Sequence, residues 1–332
     1  MVYIYKKNVG GKTYYYLRAS DRKRGKIIVK DIAYLGNSLD DVKQVLGKLP
    51  KYSTLIRKAY KTIHNFLESN RYLEKVRALK LKREEFLAEK LVETEACKLH
   101  YSTEFKNQHS LTKQEILKNF IIEFAYNTTA IEGNTIKLAE ARNLLEEGLT
   151  PKNKSLREIY DVQNTEKVFL KIVNSKKELD HDFIIGIHKG LMENIDSRTG
   201  YRSSKVRVIK ANFKATPANY VKTDMDLLLK FYNENNGKLY PVVLATVFHH
   251  KFEKIHPFMD GNGRVGRMIL NYILLKNGYP PIVIKTKVRN EYLNALKEAD
   301  KNELTKINKD YYKRIILFVA DQMIKSYWNI FL

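Results

Sequence analysis

Cysteine is almost absent from this chain: Cys97 is the only one in 332 residues. A single thiol excludes an intrachain disulfide and any cysteine-based zinc site, and makes a reducing, cytoplasmic compartment the expectation. Long apolar runs are missing too. No window approaches the roughly 18 apolar residues that a membrane span needs. The start, Met1-Val-Tyr-Ile-Tyr-Lys-Lys7, lacks the apolar core of an export signal, so a soluble, unexported protein with no membrane partner is expected. Acidic residues are few against basic ones, 37 Asp+Glu to 60 Lys+Arg, which leaves a formal charge of +23. An excess of that size favours polyanions or an anionic substrate, although a lysine-rich solvated surface gives the same composition. The apolar fraction, 44%, is ample for a sizeable core. No Pro/Gly/Ser-rich linker, internal repeat or low-complexity tract interrupts the chain.

Pattern divides the chain into three. Within residues 1–50, short β-rich runs (Val2–Tyr5, Thr13–Leu17, Ile27–Leu35) surround a Gly10-Gly11 turn and a second turn at Asp21–Gly25, which predicts a small antiparallel sheet. Ser38 followed by Asp40 and Asp41 reads as a helix start. Residues 51–112 are strongly charged with apolar residues at every third or fourth position, a helical connector of one or two long helices. Residues 113–332 are helical by period, with helices expected at 113–131, 138–147, 155–173, 182–193, 224–233, 241–254, 263–277, 289–299 and 311–328. One stretch, Gly200–Tyr220, alternates as strands do and reads as a β-hairpin inserted into a helical bundle.

One short segment concentrates chemistry: His256-Pro-Phe-Met-Asp-Gly-Asn-Gly-Arg-Val-Gly-Arg267. Pro257 disfavours helix at His256, which therefore stands at a helix-to-loop junction. Gly261-Asn262-Gly263 opens the next helix, so free backbone N–H groups and the positive dipole end face whatever precedes it. That arrangement is a phosphate cradle. Arg264 and Arg267, three apart, share a helix face and can clamp successive phosphates. Asp260 is placed to hold a Mg²⁺ bridging phosphate oxygens. His256 has the unperturbed pKa nearest neutrality and can take a proton from an attacking hydroxyl.

The segment resembles the signature of the Fic-domain family, His-x-Phe-x-(Asp/Glu)-Gly-Asn-Gly-Arg-x-x-Arg, at every fixed position, with similarity extending from about residue 113 to 318. The resemblance implies a mainly α fold, a Fic-type helical bundle with an inserted hairpin flap. It implies a protein adenylyltransferase that moves AMP from ATP, with Mg²⁺, to a Tyr, Thr or Ser hydroxyl of a target protein or of itself. His256 would be the general base, Phe258 a core anchor beneath the loop, and Asp260 the metal ligand. Gly261, Asn262, Gly263, Val265 and Gly266 would supply the loop and helix around the α-phosphate, with Arg264 on the β-phosphate and Arg267 on the γ-phosphate. The flap at 200–220 would align the target segment, with Val206, Arg207, Val208 and Ile209 its strand nearest the nucleotide. Tyr292 resembles a position near adenine and ribose, with a buried helix aromatic as the alternative. Asp300 falls where relatives often carry Asn. His249 and His250 read as structural, because no Cys or carboxylate lies at metal-ligand spacing with them.

Thr128-Thr-Ala-Ile-Glu132-Gly133 is similar to the family's inhibitory motif, which places an inhibitory helix at about 113–134. Gly133 is a ready helix cap, and a carboxylate at a helix C-terminus wants a cation. The resemblance makes that cation Arg267, so that Glu132 and ATP compete for it, and allows a reverse, AMP-removing activity. Two alternatives remain open: a Fic-fold phosphotransferase or other nucleotidyl transferase, and a DNA-associated regulator. The latter draws on residues 1–100, which hold 23 Lys+Arg against 11 Asp+Glu. Basic residues interleaved with Tyr14-Tyr15-Tyr16 suit a nucleic-acid partner, and half-buried strand aromatics explain the same pattern. Homo-oligomer formation is compatible with the sequence.

Overall fold

The computed structural model describes residues 1–23, 25–88, 90–205 and 215–332. It falls into two compact units, residues 1–81 with Leu332, and residues 82–331, whereas the sequence pattern suggested breaks near residues 50 and 112.

In the first unit β1 (Val2–Val9), β2 (Lys12–Lys23) and β3 (Lys26–Gly36) form an antiparallel sheet in the order β1-β2-β3. The turns close where glycine tolerates positive φ: Gly10 and Gly11 at +56° and +75° join β1 to β2, and Gly25 at +79° precedes β3. All three strands outrun the short apolar runs that marked them, because pairing continues through polar rungs such as Asn8↔Thr13 and Lys7↔Tyr14. One face buries Val2, Ile4, Tyr15, Leu17 and Leu35 against α1 (Leu39–Gly47) and α3 (Tyr60–Arg77). Ser38 caps α1 in a capping box with Asp41. The connector is broken up: α2 (Ser53–Lys58) is followed by α3, and no helix is assigned from Ala78 to Ala88.

Among the described residues the second unit is built of helices: α4 (Lys90–Thr103), α5 (Ser110–Glu132), α6 (Leu138–Glu147), α7 (Leu156–Val173), α8 (His181–Leu191), α9 (Val221–Asn235), α10 (Pro241–Ile255), α11 (Asn262–Lys276), α12 (Arg289–Ala299) and α13 (Lys309–Ile330). Twelve of the fifteen residues of α10 are buried, so it is the central rod, and its apolar residues run all round rather than along one stripe. α11 packs beside it, and α9 and α13 also lie against α10. Each Val, Leu or Phe buried there contributes about 1.5–3 kcal/mol.

The expected hairpin at 200–220 falls in its central part on residues outside the described ones. Residues 206–214, including Val206, Arg207, Val208 and Ile209, lie outside the described residues; 200–205 and 215–217 form no strand, and Ala218–Tyr220 is a 3-10 turn. Among the described residues no helix is long and apolar enough to cross a membrane.

Candidate active site

The site forms where α10 ends, a five-residue loop turns, and α11 begins. His256 closes α10 in the left-handed region (φ 54°, ψ 61°), an uncommon conformation for a non-glycine residue. Arg202 holds it there. Its Nε donates to the His256 carbonyl at 2.8 Å, its other nitrogens reach the carbonyls of Ile255, Ser204 and Thr216, and its N–H bonds Pro257 O at 2.8 Å. Nδ1 of His256 lies 3.3 Å from the Glu253 carbonyl, which favours the tautomer with Nε2 as the proton acceptor. Burial lowers the His256 pKa, partly opposed by the Glu253 carbonyl and assisted by Arg202.

The loop is stapled at both ends. Phe258 is fully buried and stacks on His188 with ring centroids 3.8 Å apart. Asn262 accepts from Phe258 N–H and donates to Phe258 C=O, both at 2.8 Å. The Asn262 side chain thus shapes the loop, and toward a ligand α11 offers its first-turn N–H groups. Gly261 sits at φ 80°, and a Cβ there would stand 3.0 Å from Met192 Sδ, so glycine is required. His188 Nε2 faces the Asp260 carbonyl at 3.1 Å, and burial pushes its pKa down to about 4, which makes it a neutral donor.

Two acid–base pairs from α7 flank the loop: Arg157 with Asp260, and Asp161 with the buried Arg264. Asp260 is held below its ordinary pKa: burial pushes it up, and Arg264 and Arg157 outweigh that. Asp260 fits a Mg²⁺ ligand of the sparse kind, one carboxylate beside substrate phosphates with water completing the shell. Among the described residues no cluster of three or more His, Cys, Asp or Glu forms a protein cage. Arg157 is 56% exposed and its partner 37%, so the pair contributes about 0–1 kcal/mol and can yield Asp260 to a cation.

Glu132 ends α5, capped by Gly133 at φ 109°. Its Oε1 accepts from an Arg267 terminal nitrogen at 2.7 Å, while Arg267 Nε donates to Thr128 Oγ1 at 2.7 Å. A Cβ on Gly263 would stand 2.1 Å from Glu132 Oε1, so the carboxylate lies directly on the first turn of α11, the anion-accepting end. Burial raises the Glu132 pKa, but Arg267, then Arg264 and Arg289, outweigh it and hold the carboxylate below its ordinary value. With 45% of that side chain exposed, solvent screens part of the attraction. α5 is fastened by Arg289 Nε to Ile131 O at 2.7 Å, Thr286 N to Asn127 Oδ1 at 2.9 Å, and Lys285 to Glu123 at 2.5 Å.

Of the residues singled out by sequence, His256, Asp260, Gly261, Asn262, Gly263, Arg264, Arg267 and Glu132 come together in this one place. Val265 is fully buried, and a Cβ on Gly266 would strike Glu253 and His249, so these two belong to the packed side of α11. Tyr292 is also buried, 1% exposed, its hydroxyl 2.6 Å from His249 Nε2; it presents no open surface to a nucleotide in this structure. His250 bonds Tyr312 and Asp300. Sequence reasoning missed Arg157, Asp161, His188 and Arg202. Arg157 and Asp161, four apart near the start of α7, carried a legible sign, a charged pair on one helix face; His188 and Arg202 carried none.

Residues 178–274, which hold α8, α9, α10, the loop and nearly all of α11, match the Fic/DOC family. Over 203 residues the chain is 31% identical to protein adenylyltransferase fic-1 of Caenorhabditis elegans, covering 59% of this chain and 40% of that protein. The chain thus spans about two fifths of the length of the curated relatives it matches. Among solved structures it is similar to a Fic domain containing signaling protein from Bacteroides thetaiotaomicron, with TM-score 0.64 and 25% identity over 69% of this chain and 93% of the other. The fold is also shared with Fic-1 residues 134–508 from C. elegans, with TM-score 0.59 and 24% identity over 89% and 82% of the two chains.

Proposed function

We propose that this chain is a protein adenylyltransferase held in a resting state by Glu132. The observation that carries the reading is the Glu132 carboxylate itself, bonded to Arg267 and seated on the N-terminus of α11. A carboxylate marks the place as an anion site, and His256 lies on the same loop, one helix end away.

When Glu132 withdraws, the first-turn N–H groups of α11 take the α-phosphate of ATP, and Arg264 and Arg267 hold the β- and γ-phosphates. Asp260 would hold Mg²⁺, which neutralises phosphate charge when bound. His256 Nε2 takes the proton of a Tyr, Thr or Ser hydroxyl of a target protein. The hydroxyl oxygen bonds to the α-phosphorus, and the bond to the bridging oxygen breaks, releasing pyrophosphate. The rate comes from alignment and charge neutralisation. The segment 200–220 docks the target, and the reaction takes place in the cytoplasm. With Glu132 in place, Arg267 is spoken for and ATP lacks its γ-phosphate partner.

Incubation with ATP labelled at the α- or γ-phosphate tests this. A Glu132→Gly protein should transfer α-label to itself or to lysate proteins at least tenfold faster than the parent, and Glu132→Gly with His256→Ala should not. Transfer of γ-label would assign a phosphotransferase instead. No transfer of either label by Glu132→Gly would sink the proposal.

A further inference from the structure

The outer face of the small sheet carries chemistry that the adenylyltransferase reading does not use. The register sets Tyr3 across from Arg18, Tyr5 across from Tyr16, Lys7 across from Tyr14 and Val9 across from Lys12. On the other side of β2 it sets Tyr16 across from Tyr34, Arg18 across from Asp31 and Arg22 across from Ile27. Residues paired across antiparallel strands share a face, and alternate positions of one strand do too, so all of these point to one side of the sheet. Val2, Ile4, Tyr15 and Leu17 take the other side, where α1 and α3 cover them.

A face turned to water is ordinarily polar, and this one carries five tyrosines. Tyr5, Tyr16 and Tyr34 form a row across all three strands, at the strand spacing of about 4.8 Å. Tyr34 is 51% exposed, and Tyr3, Tyr5, Tyr14 and Tyr16 are half-buried. The rings of Tyr16 and Tyr34 lie 5.4 Å apart, and the Arg18 guanidinium lies over the Tyr5 ring, 3.4 Å from its centre. Lys7, Lys12 and Arg22 stand exposed around the rings. Asp31, the acid among them, is taken by Arg18 at 2.5 Å. The charge of the unit points the same way: residues 1–81 hold 19 Lys+Arg against six Asp+Glu, a surplus of 13 out of the total of +23. Rings rimmed by cations are the two parts of a single-strand platform, on which bases meet rings and phosphates meet Lys and Arg.

We propose that the tyrosine face of the β1-β2-β3 sheet binds single-stranded RNA. Tyr16 and Tyr34 stack bases, and the Arg18 guanidinium, itself laid on Tyr5, offers its plane to a further base. Lys7, Lys12 and Arg22 neutralise phosphates along the strand. A duplex is a poorer fit, because its bases are already stacked on one another and present only their edges. RNA is favoured over DNA because all five rings are phenols. A phenol O–H both donates and accepts, as does the ribose 2′-OH that distinguishes RNA. This proposal does not rest on the adenylyltransferase reading.

The test uses the whole chain and a fluorescent single-stranded RNA of about ten nucleotides, with anisotropy followed between about 50 and 200 mM salt. Tyr34→Leu should bind about fivefold or more weakly, and Tyr34→Phe, which keeps the ring, should stay within about threefold of the parent. The triple variant Lys7→Gln, Lys12→Gln, Arg22→Gln should lower the slope of log K against log salt by about two. The control variant Lys222→Gln, Lys230→Gln, Lys325→Gln removes three exposed charges of the helical unit and should stay within about twofold of the parent. Unchanged circular dichroism shows that each variant folds. Equal loss in the two triple variants reduces the effect to net charge and overturns the proposal. So does equal loss in Tyr34→Leu and Tyr34→Phe, or a DNA strand of the same sequence bound as tightly as the RNA. Preference for duplex RNA, no RNA binding by the parent, or self-association through this face without RNA affinity overturns it as well.

Discussion

Glu132 Oε1 and the α-carbon of Gly263 are in such close contact that a Cβ at residue 263 would stand 2.1 Å from the oxygen. A carboxylate from the end of one helix therefore rests on the first turn of another, 131 residues away in the chain.

The contact makes Gly263→Ala a reporter of where Glu132 lies. Alanine within a helix is ordinarily worth about 0.5–1 kcal/mol over glycine. In the parent the methyl group must displace the Glu132 carboxylate and break its bond to Arg267, so the substitution should lower the melting temperature. In a Glu132→Gly background the same substitution should raise it. Thermal denaturation of the four proteins decides the matter, and equal signs in both backgrounds would mean that Glu132 does not occupy this place in solution.

Burial lowers the pKa of His256 from its ordinary 6.5. A general base works when unprotonated, so transfer by a Glu132→Gly protein should rise with pH to a midpoint below 6.5 and stay level through neutrality. Initial rates across buffers of constant ionic strength measure this. A midpoint above 6.5 would contradict the half-buried, Arg202-facing setting.

Arg202 is a positioning residue, bonded to the His256 carbonyl that it holds in the left-handed region. Arg202→Gln removes both a nearby positive charge and the clamp. The acid limb should move to higher pH and kcat should fall about tenfold or more, with little change in KM for ATP. An unmoved pH profile would reduce Arg202 to a purely structural role.

Glu253 is largely enclosed behind Gly266, its side chain 15% exposed, and desolvation pushes its pKa up to about 8, against the opposing pull of Arg267. The folded protein keeps this proton where the unfolded chain, with an ordinary value of 4.5, releases it. Its contribution to stability is complete below about pH 4.5 and is lost as pH rises toward about 8. Glu253→Gln, which cannot ionise, should flatten that part of the stability profile in urea titrations from pH 5 to 8; a profile as steep as the parent's would place the dependence elsewhere.

Much of the helical unit was legible in the sequence. Helices α6 and α12 lie where their apolar period put them, and α10 and α11 within a residue of it, because an amphipathic or wholly buried helix writes its own spacing into the chain. The twelve residues His256–Arg267 marked the site for a related reason: a loop between two adjacent helices keeps its parts in sequence order. The connector was harder. Residues 53–99 carry helical spacing throughout, yet residues 78–88 form no helix, since local period does not say which turns find a surface to pack on.

By itself the sequence determined the helical bundle, the His256 loop between two helices, and the helix that ends at Glu132. Only the tertiary structure decided that the Glu132 carboxylate rests on Gly263, that Arg157 and Asp161 cross from α7 to Asp260 and Arg264, and that Tyr292 is bonded to His249. Backbone propensity and apolar period act over a few residues, whereas a salt bridge between residues 103 or 135 positions apart exists only once packing has fixed both backbones.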